Sequence, residues 1–392
     1  MKDCKKRLNT KIVATNVGPF RSHLGSSDGL EELLISAPYV VESATEQHLG
    51  GLTDLARLLD TVHLNPEGLP NVVRRSREAV QTLYQGALKL PRDATFMFVQ
   101  RNLDTGSVVG TSGIVYEEGD PAECPYWYYV RHRGTLVLTR HSEVGPTTFG
   151  GMVTHPDFRR RSDFPFGKFG SWVRAAFVIQ NPAVFDRVLL SEIVPVLWPS
   201  PFWEHYGRPV EFQDPTTGEN RRAASHHEIG KVLHVPAVAK RFSEVLPREI
   251  PISKLPEEIR GTLYEFGAKG AAQNLLQIGF VHRGSFYPIN LGLNLEAEPQ
   301  DLLFYRTVIQ ESPLRATNLA DLNNIGMVMV VRKVDGEYSV RFALSPYGLS
   351  GSQPLLPVQT LEKLEIVHGT RTHSVSMIPI PRRLLERFWS SS

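Results

Sequence analysis

Three consecutive arginines, Arg159 to Arg161, begin a basic segment, FRRRSDFPFGKFG, that spans residues 158–170. The segment lies between a predicted strand at 147–156 and a predicted helix at 171–180. Such a loop can bind an anion, because the first N–H groups of a helix are unpaired and glycine lets the backbone approach a phosphate closely. The segment therefore predicts a phosphate site, although a solvated surface turn could have the same composition.

A second residue suited to chemistry is Glu192, within the apolar predicted strand LLSEIVPV at 189–196. A carboxyl group in apolar surroundings has a raised pKa, which suits a general base near neutral pH. The alternative is a glutamate on the outward face of the strand. The sequence alone leaves both interpretations open.

Several other kinds of site lack support in the sequence. Neither GxxxxGKS/T nor a GxGxxG motif after a first strand occurs, which disfavours ATP- and NAD-binding folds. His226 and His227, beside Glu228, are expected on an extended segment, where adjacent side chains point apart, so no metal site is expected. No Ser-His-Asp or Cys-His arrangement emerges, which disfavours covalent acyl transfer.

The composition narrows the class of protein further. Of 392 residues, 43 are Lys or Arg and 41 are Asp or Glu, so nucleic-acid binding is not expected. No apolar run approaches the roughly 20 residues of a membrane helix, and the basic N-terminus lacks the apolar region of a secretory signal. Two cysteines, Cys4 and Cys124, cannot form a disulfide framework in a chain of this size. A soluble, cytoplasmic protein is therefore expected.

The elements that would position these residues follow from hydrophobic periodicity. A strand is predicted at 33–41, two amphipathic helices before and after Pro70, and a hairpin at 94–117 around Asp104-Thr105-Gly106. Strands at 125–139 and 147–156 precede the basic segment, and a strand at 187–196 and a short helix at 200–207 follow its helix. A second hairpin is predicted at 325–345 around Asp335-Gly336.

The chain resembles the arginine N-succinyltransferases, a branch of the GNAT acyltransferase superfamily, from about residue 34 to residue 380. The matching segments keep the family's order and nearly its spacing. They are GLP (68–70), LDTGSVVG (103–110), YVRHRGTLV (129–137), HPDFR (155–159), SPFWEHYG (200–207), LPEEIRG (255–261), IGF (278–280) and GLNLE (292–296).

The resemblance implies an α+β, GNAT-like acyl-CoA N-acyltransferase fold with a mixed central sheet and a C-terminal β-rich subdomain. The segments expected are a flexible N-terminal tail (1–32), an acyl-CoA-binding domain (33–213), a variable connection (214–245), a second α/β unit completing the active site (246–300) and the β-rich subdomain (301–392).

The resemblance also implies roles for individual residues. In this family the acyl-CoA binds between two splayed central strands, with its pyrophosphate on the turn before the next helix. The pyrophosphate would contact Arg159, Arg160, Arg161, Gly167 and Gly170, and the pantetheine arm would contact Met152, Val153 and Thr154. Glu192 would be the general base, and Glu296 would hold a cationic substrate.

Two departures from the family pattern affect these assignments. The turn before the helix is about three residues longer than the family's R-x-x-G-x-G and contains Pro165, which has no N–H to donate. The family's proton-donating histidine corresponds here to Tyr264, within GTLYEF. A tyrosine hydroxyl is protonated at neutral pH and can protonate a departing thiolate. Tyr264 is therefore the second predicted catalytic residue, or a partly buried aromatic at a helix start.

The function implied by the resemblance is direct transfer of a succinyl group from succinyl-CoA to the α-amine of arginine. Succinyl-CoA would be a co-substrate, and no permanently bound cofactor is expected. Two alternatives remain: the same fold with another acyl donor or amine acceptor, and a non-catalytic relative that binds acyl-CoA or a partner protein. The resemblance also implies a homo-oligomer.

Overall fold

The computed structural model describes residues 28–59, 66–120, 122–141, 143–159, 164–185, 187–214, 217–232, 235–311, 313–366 and 374–389. Of the predicted N-terminal tail, residues 1–27 lie outside these ranges.

The helices and strands alternate irregularly along the described chain. The helices are α1 (Asp28–Ser36), α2 (Leu49–Leu59), α3 (Leu69–Tyr84), α4 (Phe166–Gln180), α5 (Phe202–Tyr206), α6 (His226–Val232), α7 (Pro236–Ala239), α8 (Phe242–Val245), α9 (Glu257–Thr262), α10 (Lys269–Gln277), α11 (Val358–Lys363) and α12 (Arg382–Trp389). The strands are β1 (Tyr39–Ser43), β2 (Thr95–Asn102), β3 (Val108–Val115), β4 (Trp127–His132), β5 (Thr135–Arg140), β6 (Thr147–Thr154), β7 (Leu189–Glu192), β8 (Val210–Gln213), β9 (Asn220–Ala223), β10 (Glu249–Pro251), β11 (Ser285–Phe286), β12 (Asn294–Ala297), β13 (Leu314–Arg315), β14 (Asn324–Val334), β15 (Glu337–Ser350), β16 (Gln353–Leu356) and β17 (Ser374–Pro379).

The strands form one large mixed sheet with the order β12-β7-β6-β3-β2-β1-β15-β14-β17, to which β16 and β13 attach at β15. A second sheet has the order β10-β5-β4-β11, and β8 and β9 form a separate hairpin. The predicted α+β architecture with a mixed central sheet is thereby confirmed. Strands from the N-terminal and C-terminal parts of the chain pair directly, because β1 lies between β2 and β15.

Helix α4 packs on one face of the large sheet and forms the centre of its largest apolar cluster. Its sequence is mostly apolar, and twelve of its fifteen residues are buried. The Phe177 ring contacts the rings of Phe96 and Phe98 on β2, with centroids 4.9 and 5.2 Å apart. Because side chains alternate along a strand, the residues between these phenylalanines face the opposite side of the sheet.

Strands β6 and β7 form a short parallel pair, with Thr147 opposite Leu189 and Thr148 opposite Leu190. Immediately beyond this pair, the Ser191 hydroxyl donates a hydrogen bond of 3.0 Å to the Phe149 carbonyl. No further β6–β7 pair follows in the described residues, since β7 continues against β12 and β6 against β3. The ladder therefore ends in the middle of the sheet.

A bulge in β6 lies just past this point. Gly150 is opposite Gly113 and Val153 is opposite Thr111, so Gly151 and Met152 both lie opposite one residue of β3. Gly151 has φ of +58°, a left-handed conformation that glycine adopts without strain. A bulge bends a strand and changes where its side chains point.

A charged network joins β1 to both of its neighbours. The Glu42 carboxylate accepts a hydrogen bond of 3.1 Å from His48 and forms ion pairs with Arg101 at 2.5 Å and Arg341 at 2.7 Å, and Arg341 also contacts Glu365. Burial alone would raise the pKa of Glu42, but the His48 hydrogen bond and the two arginine charges outweigh it and lower this pKa to about 2. The network therefore holds a buried, ionised carboxylate.

Most elements agree with the sequence-based predictions, including both hairpins, but the first strand differs. A strand was expected at 33–41, whereas α1 extends to Ser36 and β1 begins only at Tyr39. Pro38 separates the two, because the residue before a proline disfavours the helical conformation. Among the described residues, no helix has both the length and the apolar character needed to cross a membrane.

Candidate active site

A cavity of about 680 Å³, named here the glutamate cavity, opens at the carboxyl end of β7. Its walls come from separate parts of the chain: the start of β2, the segment from the end of β3 to the start of β4, residues 192–194, and the turn 287–290. Trp198 and residues of α6 to α8 close its outer side.

Glu192 is half-buried in the wall of this cavity. The Tyr126 hydroxyl donates a hydrogen bond of 2.6 Å to its Oε1 atom. Burial raises the pKa of Glu192 to about 8, the nearby charge of Glu118 adds to this effect, and the Tyr126 hydrogen bond opposes it. A carboxyl group with this pKa can accept a proton from an amine at slightly alkaline pH.

Glu118 is a second carboxyl group in the same cavity. Its Oε2 atom accepts a hydrogen bond of 2.6 Å from the Thr148 hydroxyl on β6. Burial raises the pKa of Glu118, the Thr148 hydrogen bond opposes this, and the charge of Asp93 raises it further. Glu118 thus lies close enough to Glu192 for its charge to affect the ionisation of Glu192.

The basic side chains of the cavity are engaged elsewhere. Arg92 pairs with Asp120, and the Arg75 guanidinium donates to the main-chain carbonyl of Asp93 at 2.5 Å. Within the described residues, no basic side chain forms an ion pair with Glu118 or Glu192. The two carboxylates therefore lack a counter-ion, and a cationic ligand would supply one.

Two further groups in the cavity limit the chemistry. Burial, with the charges of Asp93 and Glu118, raises the pKa of the Cys124 thiol to about 11, so this thiol is a poor nucleophile. Tyr287 lines the opposite wall, and burial together with the Glu192 and Glu118 charges raises its pKa well above its usual value. The arrangement suits proton transfer to a carboxylate better than covalent catalysis.

The predicted pantetheine-contacting residues lie on and beside the β6 bulge. The Met152 sulfur accepts hydrogen bonds from Ser171 at 3.2 Å and Arg174 at 3.4 Å, both on α4. Val153 is buried against the α2–α3 side, and the Thr154 carbonyl accepts a hydrogen bond from the next predicted residue, Arg159.

The predicted pyrophosphate residues have different surroundings. Arg159 is exposed, and Arg160 and Arg161 lie outside the described residues. A side chain at Gly167 would be in ordinary contact with Asn274 of α10, at 3.7 Å.

At Gly170, a Cβ atom would lie 2.6 Å from the Gln100 amide nitrogen on β2. That amide is buried and donates to the Phe166 carbonyl at 3.1 Å. The close approach of α4 to the sheet is therefore itself sufficient reason for glycine at 170.

The remaining two predicted residues do not line the glutamate cavity. Tyr264 is 47% exposed, its ring lies 6.0 Å from that of Phe286, and the Arg131 guanidinium lies over it at 5.4 Å. Glu296 on β12 lies opposite Leu190 of β7 and accepts a hydrogen bond of 2.5 Å from the Ser285 hydroxyl. Of the predicted catalytic and substrate-binding residues, the cavity contains Glu192.

Sequence reasoning missed Tyr126, Glu118 and Tyr287. Tyr126 precedes β4 in the aromatic segment PYWYYV. This segment contains three tyrosines, and nothing in the sequence distinguishes Tyr126 from the other two. Glu118 follows β3 in VYEEGD, and a paired glutamate after an apolar strand was the only available indication. Their convergence depends on strand order in the sheet.

A comparison with known protein families matches the part of the chain that contains the two carboxyl groups of the cavity. Residues 39–214 match the family described as arginine N-succinyltransferase beta subunit, and this range includes Glu118, Tyr126 and Glu192. No curated protein matches the sequence.

The structure is similar to that of arginine/ornithine succinyltransferase subunit AI from Pseudomonas aeruginosa, with a TM-score of 0.63 and 16% sequence identity. The similarity covers 88% of this chain and 100% of that one, and at this identity it shows a shared fold. Together with the family match over 39–214, which is less than half of the chain, it confirms the predicted resemblance to the arginine N-succinyltransferases and supports an acyltransferase.

Proposed function

We propose that the protein transfers a succinyl group from succinyl-CoA to the α-amine of arginine, or of a related cationic amino acid, by direct attack in a ternary complex. The observation that carries the proposal is the pair of carboxyl groups, Glu192 and Glu118, in one cavity without a basic partner among the described residues. The protein from Pseudomonas aeruginosa is named for the same reaction type, on arginine and ornithine.

The acceptor would bind in the glutamate cavity as a cation. Its positive charge would lower the pKa values of Glu118 and Glu192, because an opposite charge within a few ångströms favours the ionised carboxylate. Binding of the cation and ionisation of Glu192 would therefore support each other.

Glu192 would act as the general base. It would take one proton from the ammonium group, and the neutral nitrogen would then attack the thioester carbonyl carbon. A C–N bond forms and the C–S bond breaks, the second nitrogen proton is lost, and the thiolate leaves as the CoA thiol after gaining a proton. Alignment of the amine with the thioester supplies most of the rate enhancement in such direct transfers.

The donor would bind where β6 and β7 separate, in the manner expected of a GNAT-like fold. The end of the ladder after Thr148 and Leu190, together with the bulge at Gly151 and Met152, supports this position. Glu192 is two residues beyond the last pair on β7, so its carboxyl group is near the start of this gap. Backbone N–H groups near Met152 would polarise the thioester carbonyl.

The CoA pyrophosphate would contact the residues from Arg159 to Gly170, which comprise the segment before α4 and the first residues of α4 itself. Tyr264 remains the proposed proton donor to the thiolate, with Tyr126 as an alternative that is already hydrogen-bonded to Glu192. Glu296 was predicted to hold the cationic acceptor, but it lies outside the glutamate cavity and would contact only a part of the acceptor that extends beyond it.

The test is release of free CoA thiol from succinyl-CoA, with arginine, ornithine and no acceptor compared in parallel. Thiol release that requires the acceptor, together with acylated amino acid detected by mass spectrometry, is the expected result. Binding of succinyl-CoA without transfer to either amino acid would contradict the acceptor assignment and favour the non-catalytic relative. Transfer of acetyl and succinyl groups at equal rates would contradict the donor assignment.

A further inference from the structure

Arg174 is the most deeply buried basic side chain of the described residues, with 1% of its surface exposed. It lies in the middle of α4 and extends toward the bulge of β6. Its guanidinium donates to the Gly150 carbonyl at 3.4 Å, to the Met152 sulfur at 3.4 Å and to the Ser171 hydroxyl at 3.5 Å. The two hydrogen bonds to oxygen are long, and sulfur is a weak acceptor.

No carboxylate of the described residues pairs with this guanidinium, and its Nε atom has no hydrogen-bond partner. The guanidinium carbon lies 5.1 Å from the centre of the Phe149 ring, which compensates only a small part of the lost hydration. Burial accordingly lowers the pKa of Arg174 to about 9. A buried charge without a counter-ion is destabilising, so its presence requires a reason.

The backbone beside Arg174 reaches the protein surface. Gly150, whose carbonyl it contacts, is exposed, and a side chain built at this glycine would meet no atom within 4 Å. Ser112 lies on β3, opposite the bulge of β6. Its hydroxyl oxygen is also buried and has no hydrogen-bond partner. Unpaired polar groups thus gather where the β6–β7 ladder ends.

We propose that Arg174 binds the distal carboxylate of the acyl group and thereby selects acyl-CoA donors whose acyl chain ends in a carboxylate. The proposal rests on the proposed function, because it assumes that the thioester lies in the gap between β6 and β7. The acyl chain would pass Gly150 and Met152 toward α4, and its carboxylate would replace the weak partners of the guanidinium. Arg174 is then a specificity-determining residue, remote from the bonds that form and break.

The test compares succinyl-CoA with butyryl-CoA, which has the same four-carbon chain without the carboxylate. For the wild-type protein the ratio of kcat/KM, succinyl over butyryl, is expected to be about 10² or more, since a site built for a charged group rejects an analogue that lacks it. In Arg174→Met the ratio is expected to fall to about 1, and in Arg174→Lys to take an intermediate value.

Methionine fills a similar volume without a charge, so the variant is expected to fold, which thermal unfolding would verify. An unchanged ratio in folded Arg174→Met would overturn the proposal, as would an equal loss with both donors.

A wild-type protein that releases no CoA would contradict the proposed function without deciding the role of Arg174. In that case calorimetric binding of the same two thioesters decides it. Tighter binding of succinyl-CoA that disappears in Arg174→Met supports the proposal, and equal binding of the two donors by the wild-type protein refutes it.

Discussion

Replacement of Glu192 by glutamine tests the central chemical argument. Glutamine keeps the shape of the side chain and an oxygen that accepts the Tyr126 hydroxyl, but it cannot take a proton from an amine. General base catalysis contributes typically about 10²–10⁴-fold, so the rate of amine acylation is expected to fall by this factor. Binding of succinyl-CoA should change little, because the proposed donor contacts lie on β6 and around the start of α4.

The pH dependence of the rate gives a sharper expectation. With a pKa of about 8, Glu192 is ionised in about one tenth of the free molecules at pH 7. The ratio of wild-type to Glu192→Gln activity is therefore expected to rise about tenfold per pH unit below pH 8 and to level off above it. Using this ratio cancels the titration of the acceptor's own amine, which is common to both proteins.

The same pKa predicts an effect on stability. The pKa of Glu192 is 4.5 in an unperturbed chain and about 8 in the folded protein. Between pH 4.5 and pH 8 the folded state therefore holds a proton that the unfolded chain releases. The stability due to the protonated carboxyl is complete below pH 4.5 and is lost as pH rises through 8. Over about 3.5 pH units, at about 1.36 kcal/mol each, the wild type should lose up to about 5 kcal/mol relative to Glu192→Gln.

The assays are CoA thiol release and urea unfolding of both proteins from pH 5 to pH 9. Parallel unfolding free energies at every pH would refute the argument that the carboxyl is buried and protonated. Equal rates for the two proteins across the pH range would refute its role as a base. The two results are independent, so either part of the reasoning can fail alone.

Three other predictions follow from the contacts described above. Tyr126→Phe removes the hydrogen bond that lowers the Glu192 pKa, so the midpoint of the pH–rate profile should move upward, whereas Tyr264→Phe should lower the rate without moving it. Gly170→Ala should reduce the free energy of unfolding by about 1–3 kcal/mol in a urea titration, because the added Cβ overpacks against the buried Gln100 amide. Gly167→Ala, where a Cβ has room, should be neutral or stabilise the protein by up to about 1 kcal/mol in the same titration. Glu42→Gln should cost about 3 kcal/mol at pH 7, and the difference should disappear as pH falls from 4.5 to 2, where the wild-type carboxylate becomes protonated.

The sequence identified Glu192 as a candidate, because a carboxylate in an apolar strand is a local signal, but it did not show which way the side chain points. Its partners were not predictable in this way. Tyr126 and Glu118 reach it only because β7, β6 and β3 are adjacent in the sheet, an order set by pairing between residues far apart in the chain. Gly170 shows a different limit of the sequence, because one residue type is compatible with two roles. A glycine permits close approach to a phosphate or to a packed strand, and the sequence does not distinguish the two.

The carboxyl groups and the guanidinium near the start of the β6–β7 gap lie on opposite faces of the sheet, because side chains alternate along β6. Thr148 and Phe149 are consecutive on β6, so their side chains lie on opposite faces of the sheet. Thr148 donates to Glu118, in the cavity that also contains Glu192, whereas the Phe149 ring lies under the Arg174 guanidinium on the α4 side. One face therefore becomes negative when a bound cation ionises its carboxyl groups, and the other face is positive. The ladder ends between them. A thioester in this gap would have an anionic acyl end directed toward the positive face and a cationic amine approaching from the negative face. Charge alone would then orient the two substrates for attack and disfavour their exchange, which single-site variants on either face would test separately.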